Sequence, residues 1–580
     1  MRFLRMLTNS LLAGAFGAAY LTIIVLQLNP EVPLLSATPW WWFVTLGMLY
    51  GVHLAVIFYV IIVAREFFAM DVLSPGWVSV RLLAWLGAVL SAAAALLMWL
   101  NVRGLAATLG DVAAWRMTAG TIATTVSAVV LFAIAVAHYS FGRRGSRVGA
   151  GLFFIAVVAS MALPIAARGA GSPSHRRPVG WTGRPVGAPP LEEGPRVTLL
   201  LLDGASLDQV WPRAAEGRLP NFSRLLDGGA VIDLATIRPT QPDPVWAAVA
   251  TGLYPATSGV RSAARYYALG DERGVDLLPD HCFSHALVYL GFVRDQPLTS
   301  EEWGARPVWG ILSDEGLTSG IVRWPLTHPA VPAAGFVVSD RLHLATATIG
   351  EFDRAGYPQD VLRTVHAIST DRAPAGSDQA LAGVLKASGP ASTAFERDLL
   401  YSRVARALRV EHAPRLFALR YEGLDTVGHY YLRYTQPGAA RGVPEEERRR
   451  LGQLVDRYYG FIDREIGTAL TGMAPGDLLL VVSGFGMQPL NAAKTLFARL
   501  LGEPDFSGTH ERAPDGFMLA YGTVVQPGRS QRGSIVDVTP TLLYFFGLPV
   551  GRDMDGYARA DLFTREFAAE RPVTFIPSYR

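Results

Sequence analysis

Two carboxylates and one histidine stand where short apolar runs of the sequence end. Asp203 closes the run RVTLLLLDG, and Asp425 follows RLFALRYEG. His429 comes four residues after Asp425, and this spacing puts both side chains on one face of a helix. The pair can therefore share the ligation of one metal ion.

A third apolar run, DLLLVVSGFGM, reads as a buried strand that enters a loop. Gly484 and Phe485 stand at its end and offer no donor atoms to a metal. From residue 196 onward, such strand-like runs alternate with amphipathic segments, which is typical of an α/β sandwich. Functional residues of such sheets gather beyond the carboxyl ends of the strands, where we expect all three run ends to meet.

The sequence before residue 168 has a different character, because it contains five apolar stretches. Each is long enough to cross a hydrocarbon core of about 30 Å. A cleaved signal peptide is the alternative interpretation of the first stretch, but its length and the four stretches that follow favour an anchor. The predicted transmembrane region, residues 1–167, has spans near residues 8–29, 40–63, 80–101, 118–140 and 148–167.

Arginines set the expected orientation of these spans. The N-terminal segment and the second and fourth connections carry most of them, and the third has only Arg103 and Arg116. The positive-inside rule then predicts a cytoplasmic N-terminus and an extracytoplasmic (periplasmic) globular domain, in an inner (cytoplasmic) membrane protein. Trp40–Trp42 would form an aromatic anchor at the outer interface. His53, inside the second span, is either bonded within the helix bundle or part of a proton relay.

Composition and charge exclude several other classes of protein function. A net charge of +3 over 580 residues does not suggest a nucleic-acid-binding protein. The single Cys282 excludes an intrachain disulfide. Residues 168–195 are rich in Gly, Pro and Arg and are predicted to be a solvated linker. A transporter is disfavoured because the spans lack polar, interrupted helices.

Several motifs in order give the globular part a specific resemblance. LLLLDGAS, LPNFSRLLDGGA, PVWAAVATGLYPATSGV, YEGLDTVGHYY and GTHERAPDGFMLAYG resemble the type I phosphodiesterases and nucleotide pyrophosphatases of the alkaline-phosphatase superfamily. The resemblance implies an alkaline-phosphatase-like α/β domain over residues 196–570. Residues 261–300 and 345–400 fit the pattern poorly, and we expect them to be insertions over the site.

The resemblance also implies a metal site. Members of this family hold two metal ions, commonly zinc or manganese, on either side of a Thr or Ser nucleophile. One family site matches Asp425, His429 and His510 here. Two imidazoles and one carboxylate leave an open coordination position, as a reactive metal requires. The sequence thus predicts one divalent ion, zinc or manganese, at these three residues.

The second family site and the nucleophile are altered in this chain. Asp203 matches one ligand of that site, but Gly484 and Phe485 replace its Asp–His pair, so we expect the second metal to be lost. The nucleophile position falls on Pro242. Thr240 and Asp243 flank it as substitute candidates. The alternative for Thr240 is a plain loop residue, and for Asp243 a helix N-cap followed by Pro244 at the first helical position.

These features leave two functions open. The first is a catalytically impaired family member, or pseudoenzyme, that binds a phosphate-containing ligand or a partner protein at the cell envelope. The second is an active, membrane-anchored phosphodiesterase or phosphotransferase that uses one metal or a substitute nucleophile. In both, the lipid bilayer is a partner and nucleic acid is not.

Overall fold

The chain folds into two units that are interleaved in sequence. One comprises residues 1–175 and 264–297, and the other comprises residues 176–263 and 298–580. The computed structural model describes residues 2–69, 80–140, 147–171, 194–279, 284–345, 349–370, 377–386, 389–435, 445–500, 506–510, 512 and 514–579. Cys282 and most of the predicted linker lie outside the described residues.

The α-helices are numbered in chain order. They are α1 Arg2–Leu28, α2 Thr38–Leu46, α3 Val52–Ala69, α4 Val80–Leu105, α5 Asp111–Ser140, α6 Arg147–Arg168, α7 Leu207–Ala215, α8 Pro220–Gly228, α9 Pro242–Thr251, α10 Pro255–Ser258, α11 Ser284–Tyr289, α12 Val308–Asp314, α13 Leu342–Ala345, α14 Ile349–Asp353, α15 Val361–Thr370, α16 Ser377–Leu385, α17 Pro390–His412, α18 Gly423–Tyr431, α19 Glu445–Thr471, α20 Ala492–Leu500, α21 Val538–Phe545 and α22 Arg565–Glu570.

The strands are numbered in the same way. They are β1 Val197–Leu202, β2 Ala230–Ala235, β3 Ala264–Ala268, β4 Val293–Pro297, β5 Ser319–Val322, β6 Gly335–Val338, β7 Gly356–Tyr357, β8 Leu416–Tyr421, β9 Leu478–Phe485, β10 Gln488–Pro489, β11 Gly508–Thr509, β12 Asp515–Tyr521, β13 Gly528–Arg529, β14 Gly533–Ser534, β15 Val550–Gly551 and β16 Phe575–Ile576.

Among the described residues of the first unit, five helical segments are long and apolar enough to cross a membrane, which is the number expected from the sequence. A short π-helical stretch, Gly47–Gly51, joins α2 to α3 within the second of them. His53 lies in this span, and its Nδ1 is 2.5 Å from the carbonyl oxygen of Leu49, one turn earlier. The candidate spans are Phe3–Leu28, Thr38–Ala64, Leu82–Thr108, Asp111–Ala137 and Val148–Arg168.

Residues 264–297 belong to this first unit, so the prediction that 261–300 is an insertion over the site is wrong for most of that range. Strands β3 and β4 form an antiparallel hairpin here. Apolar side chains of this segment, among them Ala268 and Val293, share a core with Leu46 and Trp42. Trp42 is therefore fully buried, and of the expected tryptophan anchor Trp40 is the residue with a largely exposed side chain, at 63%.

Asn29, just after α1, ties this hairpin segment to the helices. Its amide nitrogen donates to the carbonyls of Val25 and Leu277, each at 2.8 Å. Its amide oxygen accepts from the backbone N–H groups of Asp276 and Leu277, each at 3.0 Å. The side chain is fully buried, so these bonds satisfy backbone groups that water cannot reach.

The prediction that a solvated linker begins at residue 168 is wrong, because Arg168 is the last residue of α6. It is 4% exposed. Its guanidinium donates to the carbonyls of Leu26, Asn29 and Val32, at 2.5, 2.7 and 2.5 Å. It therefore satisfies carbonyl groups that the end of α1 leaves without helical partners.

The second unit is built on a mixed, ten-stranded sheet, in agreement with the expected alkaline-phosphatase-like α/β fold. The order is β13-β2-β12-β9-β1-β8-β5-β6-β7, with β14 also paired to β2. Strand β1 runs parallel to both β8 and β9, whereas β12 is antiparallel to β9.

Each face of this sheet has its own core because side chains of a strand alternate between faces. In β1, Leu200 and Leu202 pack on one side with α17, α18 and α19 residues. Val197, Leu199 and Leu201 pack on the other side, which is covered by α9, α12 and α21. The sequences of the parallel strands are continuously apolar because both faces of the sheet are covered.

We expect Asn29→Ala to loosen the 264–297 segment. The substitution leaves buried backbone groups of Asp276 and Leu277 without partners, at about 1–3 kcal/mol for each group. Hydrogen exchange of the full chain in detergent should show faster exchange at both amides. Thr22→Val is the control, since its hydroxyl bonds only to Ala18 within α1. Equal acceleration in the control would contradict this role of Asn29.

Candidate functional site

The three apolar runs of the sequence form strands β1, β8 and β9, and their carboxyl ends lie at one edge of the sheet. Strands β8, β1 and β9 are parallel neighbours, and their last residues are Tyr421, Leu202 and Phe485. Asp203 follows β1 directly. Asp425 and His429 lie on α18, which begins two residues after β8. This arrangement confirms the placement expected from the parallel strands.

His510 completes a group with Asp425 and His429. One potential ligand atom from each residue lies within 4.8 Å of the others. His429 Nε2 is 3.3 Å from Asp425 Oδ2, and His510 Nε2 is 3.9 Å from Asp425 Oδ1. The structure thus brings together the three residues that the sequence assigned to one metal site.

Backbone carbonyls orient both imidazoles. His429 Nδ1 is 2.8 Å from the carbonyl oxygen of Gly508, and His510 Nδ1 is 2.9 Å from that of Thr240. A carbonyl oxygen only accepts, so each Nδ1 carries a hydrogen, and in its neutral form each ring presents its Nε2 lone pair to Asp425. Histidine ligands of metals are held in the same way, through the nitrogen that does not bind the ion.

Asp425 shows that these three residues fit a cation. Its Oδ1 is buried and has no hydrogen-bond partner among the described residues. A buried carboxylate oxygen without a donor is costly, and two imidazole lone pairs directed towards it cannot reduce that cost. A divalent ion bound by the carboxylate and both Nε2 atoms would satisfy all three groups.

Asp203, by contrast, does not fit a metal site, because protein donors occupy its carboxylate. Arg420 donates through Nε to both oxygens at 3.1 Å and through Nη2 to Oδ2 at 2.5 Å. Trp246 donates from its indole nitrogen to Oδ1 at 2.7 Å. Burial raises the pKa of Asp203 to about 6, against the lowering effect of Arg420. The side chain is completely buried.

Sequence reasoning missed Arg420, although a signal was present. It is the one charged residue in the apolar strand LFALRY. Arg420 is opposite Leu201 in the β1–β8 register, so strand alternation puts its side chain on the same face as Asp203 two residues later. Helix α9 covers this face and brings Trp246 to the pair.

The altered positions on β9 are filled by packing. A Cβ atom on Gly484 would lie 2.4 Å from a methyl carbon of Val245, so no carboxylate fits there without a shift of α9. Phe485 is fully buried, and its ring centroid is 5.0 Å from that of His510. Neither residue offers a donor atom. With Asp203 engaged by Arg420, these residues do not fit a second metal.

The segment expected to carry the nucleophile begins helix α9. Its N-cap is Gln241, with Pro242 as the first helical residue, so the interpretation of Asp243 as the N-cap is wrong by two positions. Proline suits this position because its missing N–H would have no helical partner there. Thr240 is 1% exposed and donates its hydroxyl to the carbonyl of Ile237 at 2.8 Å.

Asp243 lies in the first turn of α9, close to several charged groups. Burial raises the pKa of its carboxyl to about 7, and the carboxylates of Asp340, Asp203 and Glu422 act in the same direction. Arg420 acts to lower the pKa. A carboxyl group of this kind can exchange a proton near neutral pH, as general acid–base catalysis requires.

A cavity of about 400 Å³ opens beside the group of three residues. His429, Glu422, Tyr430 and Phe506 line it together with residues from the first two turns of α17, which lie in the 345–400 region expected over the site. Phe506 stacks on the His429 ring at a centroid distance of 4.8 Å. The volume is within the range of small-molecule sites.

Comparison with known protein families gives a match for the second unit. Residues 197–527 match the model of a family described as type I phosphodiesterase / nucleotide pyrophosphatase. This segment is more than half of the chain and contains Asp203, Asp425, His429 and His510. None of the curated proteins matches the chain.

We expect Arg420→Leu to reduce the free energy of unfolding by about 3–5 kcal/mol, because it leaves Asp203 charged, buried and unpaired. Adding Asp203→Asn should restore part of the loss. Urea denaturation of the full chain in detergent, followed by tryptophan fluorescence, measures both effects. Arg529→Ala is the control because its ion pair with Asp233 is largely exposed. If Arg420→Leu and the control cost the same, the pair does not have this role.

Proposed function

Since the chain belongs to the type I phosphodiesterase and nucleotide pyrophosphatase family, we propose that its second unit binds one divalent metal ion and a phosphate-containing ligand. In this proposal the two-metal hydrolysis of the family is lost. One observation carries it. The Asp203 carboxylate, which the family resemblance assigns to the second metal, is bonded to Arg420 and Trp246.

The retained metal would be held by Asp425, His429 and His510. Support comes from the orphaned Oδ1 of Asp425 and from the two imidazoles whose Nδ1 atoms bond to carbonyls. Zinc and manganese both accept such ligands. When bound, a divalent ion supplies an open position that attracts and polarises a phosphoryl oxygen. The cavity beside His429 would receive the rest of the ligand.

The five apolar helices anchor the protein in a membrane. We further propose that the N-terminus is cytoplasmic and that the second unit is extracytoplasmic, in the inner membrane of a cell envelope. The arginine distribution supports this orientation through the positive-inside rule. The ligand would then be a phosphate ester or a phosphate-bearing partner at the envelope.

A second candidate function is one-metal hydrolysis of phosphate esters, and Asp243 is the residue that favours it. With its pKa raised by burial to about 7, Asp243 would be partly deprotonated at neutral pH. In this state it can accept a proton from a water molecule that attacks phosphorus. Thr240 is a weaker candidate because its buried hydroxyl is bonded to Ile237.

Metal analysis tests the proposed function. We expect the purified full chain to retain one zinc or manganese ion per chain, and no measurable hydrolysis of bis(p-nitrophenyl) phosphate. His429→Ala or His510→Ala should abolish metal retention, because each removes one of three protein ligands. His366→Ala, an exposed histidine of α15, is the control and should keep the metal. Two tightly bound ions per chain would contradict the proposal.

The second candidate predicts a pH profile. If the protein hydrolyses phosphate esters, the rate should rise with pH through a midpoint near 7, because Asp243 must be deprotonated to act as a base. Asp243→Asn should abolish hydrolysis, whereas Asp233→Asn, on strand β2, should leave its rate unchanged. A rate that is unchanged in Asp243→Asn would exclude this role of the carboxyl.

A further inference from the structure

The β3–β4 hairpin of the first unit carries exposed apolar side chains at one end. The two strands are antiparallel with Ala268 opposite Val293, so the end of β3 and the start of β4 lie together. Leu269 follows β3 directly and is 55% exposed. Tyr289 and Leu290, shortly before β4, are 78% and 54% exposed. These three residues form the apolar tip of the hairpin.

Polar residues occupy the opposite end of the hairpin. Gln296 is paired with Arg265 there and is exposed to solvent. It lies about 10 Å from Val293 along β4. Among the described residues of the segment 264–297, large exposed apolar side chains are confined to the tip. Such a grouping favours an interaction surface, whereas scattered apolar residues are normal on any protein.

Helix α2 contacts the hairpin at the tip. The N–H of Leu269 donates to Thr45 Oγ1 at 3.3 Å, and the hydroxyl of Thr38 donates to Asp271 Oδ1 at 3.0 Å. Both threonines belong to the candidate span Thr38–Ala64, and they are about 10 Å apart along the helix. Leu269 therefore lies beside the second turn of a membrane span.

Tryptophan side chains mark the same level of α2. A Cβ atom on Gly270 would lie 2.9 Å from the ring of Trp41, so the turn after β3 packs directly against that ring. The neighbouring Trp40 is 63% exposed. Tryptophan is enriched where a span passes from lipid into water. The turn after β3 is therefore at a membrane–water interface.

Buried side chains of the hairpin segment reach the first span as well. Leu278 and Leu287 share one hydrophobic core with Val25 and Leu46. Val25 is in the last turn of the candidate span Phe3–Leu28. The segment thus packs against the ends of two spans that meet the same membrane surface.

Backbone hydrogen bonding limits how far the tip can enter the bilayer. A two-stranded hairpin has open edges, and unpaired N–H and C=O groups do not occur in contact with the hydrocarbon of the membrane. The polar end around Gln296 also needs water. The tip therefore fits the headgroup layer and its boundary with the acyl chains, where water still reaches the backbone.

We propose that this tip is a membrane contact of its own, in which Leu269, Tyr289 and Leu290 insert into the interfacial layer of the bilayer beside α2. Both leucines remove apolar surface from water. Tyrosine suits this layer because its ring is apolar and its hydroxyl is polar. The partner is a lipid surface, and it is reached by a segment that interrupts the second unit in sequence.

Fluorescence of an attached NBD group tests the proposal on the full chain in phosphatidylcholine nanodiscs, with and without a doxyl-labelled lipid. The single cysteine is first removed by Cys282→Ser, and Leu290→Cys then carries the label. Gln296→Cys is the matched control, because it is an exposed site at the polar end of the same hairpin. We expect the doxyl lipid to quench the label at position 290 several-fold more than the label at 296. Aqueous iodide should show the opposite order.

Leu269→Cys is an independent label position, because it lies on the other side of the strand pair. Its label should behave like the one at position 290. Equal quenching by the doxyl lipid at positions 290 and 296 would overturn the proposal, since the tip would then not reach the bilayer. A label at 269 or 290 that is protected from both quenchers would also overturn it, because a protein would then cover the tip.

Discussion

Burial of the Asp203 carboxylate is the constraint on which the second unit's site depends. A charge removed from water costs several kcal/mol unless other groups compensate it. Here Arg420 and Trp246 provide that compensation from two different elements, β8 and α9. The pair therefore fixes the neighbouring strand and the covering helix together. The Arg420 guanidinium supplies the positive charge that this buried carboxylate requires.

The same constraint separates the two halves of the site. Arg420 brings one positive charge to a region that also contains Asp243, Asp340 and Glu422. Glu422 is partly exposed, and Arg323 and Arg420 outweigh its loss of hydration and lower its pKa to about 2. At Asp243, burial outweighs the effect of Arg420 and raises the pKa to about 7. Glu422 therefore stays charged near neutral pH, whereas Asp243 can exchange a proton there. At Asp425, the Oδ1 atom has no hydrogen-bond partner among the described residues, and none of their arginines forms an ion pair with it.

Much of this could be predicted from the sequence. The membrane spans, the α/β architecture and the Asp425–His429 pair follow from periodicity and spacing alone, because they are local patterns. His510 was found only through the family motif, since its neighbours in space are distant in sequence. Arg420 was missed because its role comes from the β1–β8 register, which a single sequence does not show. The same limit applies to residues 264–297, whose apolar side chains fit either unit until their packing is known.

Gly484 and Phe485, the positions that the family resemblance assigns to a second metal, are both filled by packing in this chain. Gly484 leaves room for Val245, and Val245 and Trp246 are neighbours on α9, which begins at Pro242. An aspartate at 484 would displace the Val245 side chain, which is next to the tryptophan whose indole bonds to Asp203. A histidine at 485 would give up the apolar contact with the His510 ring. Restoring the ligands alone would therefore place a carboxylate against a packed helix and beside a guanidinium that already fills the electrostatic role of the ion.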